Sequence, residues 1–498
     1  MSDNEINLQD YQGGMFSGDD AGNDSAMELL KSMQAGSITG RDTANQSLTM
    51  EPLKAESLET TLKLLEYRQK DIRLLNKMPK LTAYNTVEEF LQLSSYGTNV
   101  GGFYNEGELS DAQDSTYIRR SSLIKYIQVT GEVTMQAQMV RSFVDAMRQE
   151  VENKTMWVQR RANIAITKGD SNVIPQEFDG LYKQHAAVGS GTGYLYSTLD
   201  QYFKSGTVID LRGRSMKQAD LENAAVQIDA NYGNVSDLFA PTTVVSTLSQ
   251  EFFASQRLLF NSGAPKAYEG SFGTVVKSIA TTIGDVALNP DKFMKQDPAQ
   301  FLTTSAATSY KAPNAPTPVA ATLVSDANSA VQSGDTGTVY YAVSAVNRYG
   351  ESQIVAVGGS LSLAVGYSVQ LNFTAAGGPY APTGYRIYRT LAGATSNAAA
   401  FYPIFNVSVS DVAAGFDGAA AGLVYDRVRF LPNTEQAFLT EMVDEVLSFK
   451  QLAPISKLDL AITSMSRRFI TFLFATPQLY AGLKLIRFVN AGKTLTNP

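Results

Sequence analysis

The stretch QAQMVRSFVDAMRQEVENKTMWVQRRANIAITK, from Gln136 to Lys168, decides how the rest of the chain is read. Val140, Val144, Met147, Val151, Val158, Ala162 and Ala165 recur at the three-or-four spacing of one helix face. No Pro or Gly interrupts the run; Thr134 stands where an N-cap belongs and Gly169 where a stop belongs. At a rise of 1.5 Å per residue this predicts a helix roughly 50 Å long, far above the usual three turns. A lone beam of that length among short elements suits a flat, extended protein, and its apolar stripe is expected to pack on C-terminal strands. Charge at Val144 or Val151 is expected to abolish folding.

Working outward, residues 1 to about 50 lack sustained apolar periodicity and read as an acidic, Gly- and Asp-rich arm. Ser57–Leu75 reads as a helix closed before Pro79. Strand-like TAYNTVEEF and SSLIKYIQVTGEV flank a glycine-rich, then acidic, segment, which predicts a long two-stranded excursion over residues 81–133. Beyond the beam, VIDLRG, MKQADLENAAVQIDANYG, LFAPTTVVST and LSQEFFASQRLLF alternate as strand, helix, strand and helix, a mixed α/β domain. In the first of these helices Leu221, Ala224, Ala225 and Ile228 share a face.

Pro313, Pro316 and Pro318 then mark a change of composition. From there to about Arg429, period-two runs such as TVYYAVSAVNRYGES and TGYRIYRTL predict a small immunoglobulin-like β-sandwich. Residues 313–430 alone are expected to fold as a monomeric β-domain. PNTEQAFLTEMVDEVLSF reads as a helix opened by Pro432, and KLDLAITSMSRRFITFLFA and LKLIRFVNAG as strands returning to the main body. The organisation is one split domain with an inserted one.

Composition narrows the function classes. The 498 residues imply more than one domain, and a net charge of −7 argues against a dedicated nucleic-acid or anionic-membrane binder. With no Cys, disulfides, thiolate metal sites and thiol nucleophiles are excluded. The first thirty residues contain no signal peptide, and no apolar run approaches the ~20 residues that span a bilayer. His185 is the only histidine and reads as a surface or loop residue, so a His-based metal site or triad has no second member. GSGTGYLY (189–196) lacks the Lys-Ser/Thr of a phosphate loop and reads as a flexible loop. Glu88/Glu89, Glu106/Glu108 and Asp111/Asp114 are paired carboxylates, but lie in a polar hairpin with no apolar pocket to shift a pKa. Arg160/Arg161, Arg212/Arg214 and Arg467/Arg468 are scattered doublets. No catalytic, metal-binding or cofactor-binding residue is assigned.

The order of parts resembles the major capsid proteins of tailed phages, which share the Hong Kong 97 capsid fold, and most closely those of large contractile-tailed, Twort-like phages. The resemblance rests on Phe178-Asp179-Gly180-Leu181 after the helix and on DLENAAVQIDANYGNVSDLFAPTTVVSTLSQEF from Asp220. It rests also on the proline-rich APNAPTPV and on TSMSRRFITFLFA to LKLIRFVN.

It implies an α+β fold with an N-terminal arm (1–80), an E-loop (81–133) and a P-domain with its spine helix (134–174). An A-domain (175–312), the inserted immunoglobulin-like sandwich (313–430) and a C-terminal segment completing the A- and P-domains (431–498) follow. It also implies a shell of hexamers and pentamers enclosing double-stranded DNA without sequence-specific binding. In such a family the E-loop lies over a neighbouring subunit, which makes Phe103, Arg119 and Arg120 candidate subunit contacts. Expected partners are the chain itself, scaffold, portal and decoration or minor capsid proteins; expected locations are the host cytoplasm during assembly and then the virion. The arm is expected to be retained. The rival readings are another phage structural protein, a surface glycan-binding adhesin, and a hydrolase using the paired carboxylates.

Overall fold

In the computed structural model the described residues are 66–97, 102–109, 112–139, 145–185, 207–255, 276–295, 307–375, 377–397, 399–462 and 464–494. The predicted arm, the start of the predicted helix at Ser57 and the loop at 189–196 lie outside them.

From the N-terminal side the elements are α1 (Leu74–Lys77), β1 (Lys80–Thr82), β2 (Val87–Ser95), β3 (Thr116–Leu123), β4 (Lys125–Thr134), α2 (Met135–Met139), α3 (Ala146–Lys168) and α4 (Leu181–Gln184). Then come β5 (Val208–Asp210), α5 (Gln218–Asp229), β6 (Asp237–Ala240), α6 (Thr242–Ser255), β7 (Ser278–Ala280) and β8 (Asp285–Pro290). Between Thr317 and Asp426 lie β9 (Thr317–Ser325), β10 (Gly337–Asn347), β11 (Gly350–Glu351), β12 (Val355–Leu363), β13 (Tyr367–Thr374), β14 (Gly384–Thr390), β15 (Phe401–Ser408), α7 (Val409–Ala414) and β16 (Leu423–Asp426). β17 (Glu435–Thr440), β18 (Leu447–Asp459), β19 (Ser466–Leu479) and β20 (Leu485–Ala491) close the chain.

The beam is real but shorter than its periodicity predicts. Asp145, which the apolar pattern places inside the helix, instead caps α3 by accepting from Met147 N at 2.9 Å and Arg148 N at 3.4 Å. The 23 residues of α3 span about 34 Å. Thr134 caps the separate turn α2 through a 3.3 Å bond from Ala137 N. Val140 and Val144 lie outside the described residues. Of the rest of the stripe, Val158, Ala162 and Ala165 are fully buried, while Met147 and Val151 are only half-buried. The buried end packs with Phe449, Leu473, Ala475 and Leu479, so the stripe does meet the C-terminal strands.

The end of α3 explains the FDGL sequence. Gly180 N donates to Gly169 O at 2.8 Å, and a Cβ on Gly180 would fall 2.6 Å from Ala165 O and 2.7 Å from Gly169 N. Only glycine permits backbones that close. Phe178 is buried edge-on against Phe449 with ring centroids 6.3 Å apart. Asp179 accepts from Ser171 N at 3.0 Å and pairs with Lys183 at 2.7 Å; Leu181 fills the core.

Two sheets form the main body. The four-stranded one runs β1-β18-β19-β4 and the six-stranded one β5-β20-β17-β6-β8-β7. β17 overturns the helix expected after Pro432. All six of its residues are buried, with Ala437 and Leu439 in the core beside α5 and Phe438 in the core beside α3. A strand covered on both faces loses its alternation, and the run reads like a helix. The expected strand over LFAPTTVVST is also cut short. β6 stops at Ala240, Pro241 accepts from Val244 N and Val245 N at 3.1 and 3.2 Å, and α6 follows. Burial of Val244 and Leu248 one turn apart outweighs the β-propensity of that β-branched run.

The described part of the predicted 57–75 helix is not one helix either. It holds a 3-10 turn at Gln69–Asp71 and the short α1. Tertiary partners hold its backbone instead. The fully buried carboxylate of Asp291 accepts from Arg73 N, Leu74 N and the Asn163 amide at 3.3, 3.2 and 2.9 Å, and Leu75 N donates to Asn163 Oδ1 at 3.0 Å. In α5 the expected face is buried: Leu221, Ala224, Ala225 and Ile228 are all inaccessible.

Residues 317–426 form two antiparallel sheets. One carries β11-β10-β14-β15 with β12 also on β10; the other runs β16-β13-β9. Val339, Tyr341, Val343 and Ile387 from the first and Val369, Leu371 and Val424 from the second share one apolar core.

Candidate functional site

β2 and β3 make an antiparallel ribbon whose two faces differ. The register sets Val87 opposite Leu123, Glu89 opposite Ser121, Leu91 opposite Arg119 and Leu93 opposite Tyr117, so these eight side chains share one face. On the other face Glu88, Phe90 and Gln92 stand opposite Ser122, Arg120 and Ile118.

The second face is docked on the chain's own body. The Phe90 and Tyr480 rings meet edge to face with centroids 4.8 Å apart, the Gln92 amide donates to Tyr480 O, and the Gln478 amide donates to Ser122 Oγ. The first face is open, with Leu91 at 70% exposure, Tyr117 at 64% and Leu123 at 56%. Leu91, Leu93, Tyr117 and Leu123 group around the Glu89–Arg119 ion pair on this face, and a grouped apolar surface of this kind marks an interaction surface where a scattered exposed Leu does not.

The three residues singled out from the sequence do not share this face. Arg119 lies on it and forms an exposed ion pair with Glu89, worth at most about 1 kcal/mol. Arg120 is half-buried on the docked face, opposite Phe90. Phe103 is in the ribbon's tip and fully exposed. There Glu108 accepts from Asn105 N at 2.9 Å, a bond that lowers its carboxyl pKa, and Leu109 is 93% exposed. Reasoning from charge alone missed Leu91, Leu93 and Tyr117. The alternation of Val87, Leu91 and Leu93 with polar neighbours was the signal available.

Chemistry elsewhere is sparse. Among the described residues no cluster of three or more His, Asp or Glu could hold a metal, and no helix is long and apolar enough to cross a membrane. His185 is not a surface residue as its polar Tyr-Lys-Gln-His context implied. It ends α4 fully buried beside Arg487, whose guanidinium donates to His185 O at 3.3 Å and Tyr182 O at 2.9 Å. Burial first, and the neighbouring cation second, push its pKa down to about 3.

A folded pKa below the unfolded value near 6.5 means that only the unfolded chain takes up the proton as pH falls. His185 therefore subtracts nothing above pH ~6.5 and costs stability below it, with a slope of about 1.4 kcal/mol per pH unit. Between pH 6.5 and 5.5, His185→Phe is expected to lose less stability than the parent chain in denaturant titrations. Equal losses would show that His185 is protonated in the fold. As the only histidine, its ring resonances can be followed without ambiguity.

The ribbon thus has one face docked on the body and one open face that carries Leu91, Leu93, Tyr117 and Leu123. The SU10 major capsid protein family model matches residues 38–314. The chain belongs to that family, a structural class and not an enzyme class, and it is the major capsid protein of a tailed phage. It is 22% identical over 483 residues to the major capsid protein of Staphylococcus phage K, covering 93% of this chain and 95% of that one. It is 22% identical over 453 residues to a protein of Enterococcus phage phiEF24C described as a putative major capsid protein, covering 88% and 91%. Among solved structures, the capsid of the native GTA particle aligns over 91% of this chain and 100% of that one, with a TM-score of 0.44 and 7% identity.

Proposed function

We propose that copies of this chain associate as hexamers and pentamers into an icosahedral shell around packaged double-stranded DNA, on a Hong Kong 97-type fold. In that reading residues 1–80 are the arm, 81–133 the E-loop, 134–174 the P-domain with its spine, 175–312 the A-domain, and 431–498 the strands that complete both domains. The two antiparallel sheets with one core support reading 313–430 as an immunoglobulin-like insertion, set on the outer face of the shell. The mechanism is assembly and not turnover. Beyond further copies, scaffold, portal and decoration proteins are its partners, met first in the host cytoplasm. Heterologous contacts that close rings suit such a shell.

The observation that carries the proposal is the open face of the β2–β3 ribbon, with Leu91, Leu93, Tyr117 and Leu123 exposed. Each Å² of apolar surface left in water forgoes about 25 cal/mol, so a neighbouring copy covering this face gains directly. Arg119 and Phe103 belong to the same contact, and Arg120 supports it from the docked side. Leu91→Asp is expected to keep the circular-dichroism melt of the parent subunit while electron microscopy shows shells reduced at least tenfold. Normal shells from that variant would remove the ribbon from the interface.

A further inference from the structure

Between the C-terminal half of α3 and the five-stranded sheet of residues 317–426 lies a cleft of about 460 Å³, the size of a small-ligand site. Among the described residues, six cations line it, drawn from three places far apart in sequence. Arg160, Arg161 and Lys168 come from α3, Lys292 and Lys295 from the turn after β8, and Arg386 from β14. Only two carboxylates, Asp170 and Glu177, line it with them.

Both carboxylates are already engaged. Glu177 pairs with Arg161, and Asp170 pairs at 3.0 Å with Lys183, which lies outside the cleft. Two more cations draw their counter-charge from behind the wall: Arg386 from Glu351 at 2.7 Å, and Lys292 from Asp71 at 2.9 Å. Arg160 has no carboxylate partner among the described residues and rests on rings, 5.4 Å from the centre of Tyr67 and 5.8 Å from that of Phe293. Lys168 Nζ donates to Lys295 O at 2.8 Å, which ties helix to turn at the cleft wall. The buried Val173 and Phe405 complete the lining, and low-dielectric walls of this kind concentrate a field of one sign. Like charges gathered in one concavity repel, and an entering anion relieves that repulsion.

We infer that this cleft binds a compact oligophosphate. Guanidinium forks grip phosphate oxygens two at a time and ammonium groups meet them as point charges; the lining holds both kinds. A single small anion meets the cations of one wall, whereas a chain of phosphates reaches α3, the turn after β8 and β14 together. Bound there, it ties the sheet to the helix and stabilises the subunit by mass action. The site lies within one chain and needs no neighbouring copy. Inorganic polyphosphate and a nucleoside polyphosphate present the same phosphate chain, so the experiment has to separate them.

The test is calorimetric titration of full-length subunits with tripolyphosphate in phosphate-free buffer. A Kd below about 100 μM is expected at low ionic strength, weakening as salt is raised. Arg160→Gln with Lys295→Gln is expected to weaken binding at least about tenfold, with a ligand-free melt within about 2 °C of the parent. Lys311→Gln removes a cation outside the lining and is expected to leave the affinity unchanged. No binding at about 1 mM tripolyphosphate, or equal weakening by Lys311→Gln, overturns the inference. ATP tighter than tripolyphosphate identifies a nucleotide, and equal affinities identify the phosphate chain alone; either result upholds the site. Duplex DNA that displaces tripolyphosphate at equal phosphate concentration overturns its assignment to a small ligand. A second reading needs no substitution. Tripolyphosphate is expected to raise the parent's melt by several degrees more than sodium chloride of equal ionic strength, and equal rises overturn the inference.

Discussion

Val158→Asp is expected to yield no folded subunit. Val158 has no accessible surface and packs in the cluster that joins α3 to Phe449, Leu473 and Leu479 of the C-terminal strands. A carboxylate there loses its hydration among hydrocarbon side chains, and the group either stays charged at prohibitive cost or takes up a proton far above its usual pKa. Either route costs several kcal/mol, of the order of a domain's whole stability of about 5–15 kcal/mol. Far-UV circular dichroism and soluble yield should both collapse. Val151→Asp is the matched comparison, because Val151 lies two turns earlier on the same stripe but is half-buried. Its cost should be much smaller. Shells from the Val158→Asp chain would show that the buried half of the beam does not hold the fold together.

The second large effect belongs to Asp426→Ala. Asp426 ends β16 in the three-stranded sheet of residues 317–426, and accepts from Arg389 Nη1 at 2.7 Å and Tyr341 Oη at 2.8 Å, both in the facing five-stranded sheet. Its second oxygen takes Val428 N at 2.8 Å. Arg389 and Asp426 are 2% and 3% exposed. Burial, then the Asp426 charge, raises the Tyr341 phenol well above its ordinary pKa, so Tyr341 remains a donor. Alanine leaves the Arg389 cation enclosed with its bond to Phe430 O at 2.7 Å but without its hydrogen-bonded carboxylate. Breaking one side of such a buried pair costs about 3–5 kcal/mol. The two sheets of residues 317–426 should melt more than about 10 °C lower and become protease-sensitive within that stretch, with Asp426→Asn intermediate. A shift under about 2 °C would mean that water replaces the lost carboxylate.

Much of this architecture was legible before any coordinates. The strands between Thr317 and Asp426, the β2–β3 ribbon and the α5 face show period-two or period-3.6 patterns, because each has one dry side and one wet side. The failures have the opposite cause. β17 is dry on both sides, so Phe438, Met442 and Val446 mimic a helical stripe. The backbone N–H groups of Arg73, Leu74 and Leu75 find their partners in Asp291 and Asn163, more than 80 positions away, and no local pattern records that. His185 sits in polar sequence yet is sealed by the distant Arg487. Arg119 and Arg120, adjacent in sequence, divide between two faces because the strand period is two. The ribbon's charges drew attention first, although its apolar residues form the open face.

The order of strands in the two main sheets sets a clock on synthesis. β18 and β19 are the inner strands of one sheet, and β20 and β17 are inner strands of the other, yet all four are made last. Until the ribosome has passed Leu479, β1 and β4 lack their partners β18 and β19, and the buried side of α3 lacks Phe449, Leu473 and Leu479. The core of residues 317–430 also takes in Val489 of β20, so the last strand closes that core as well as the main body. The three large apolar cores all take residues from β20, so they are completed together at the end of synthesis.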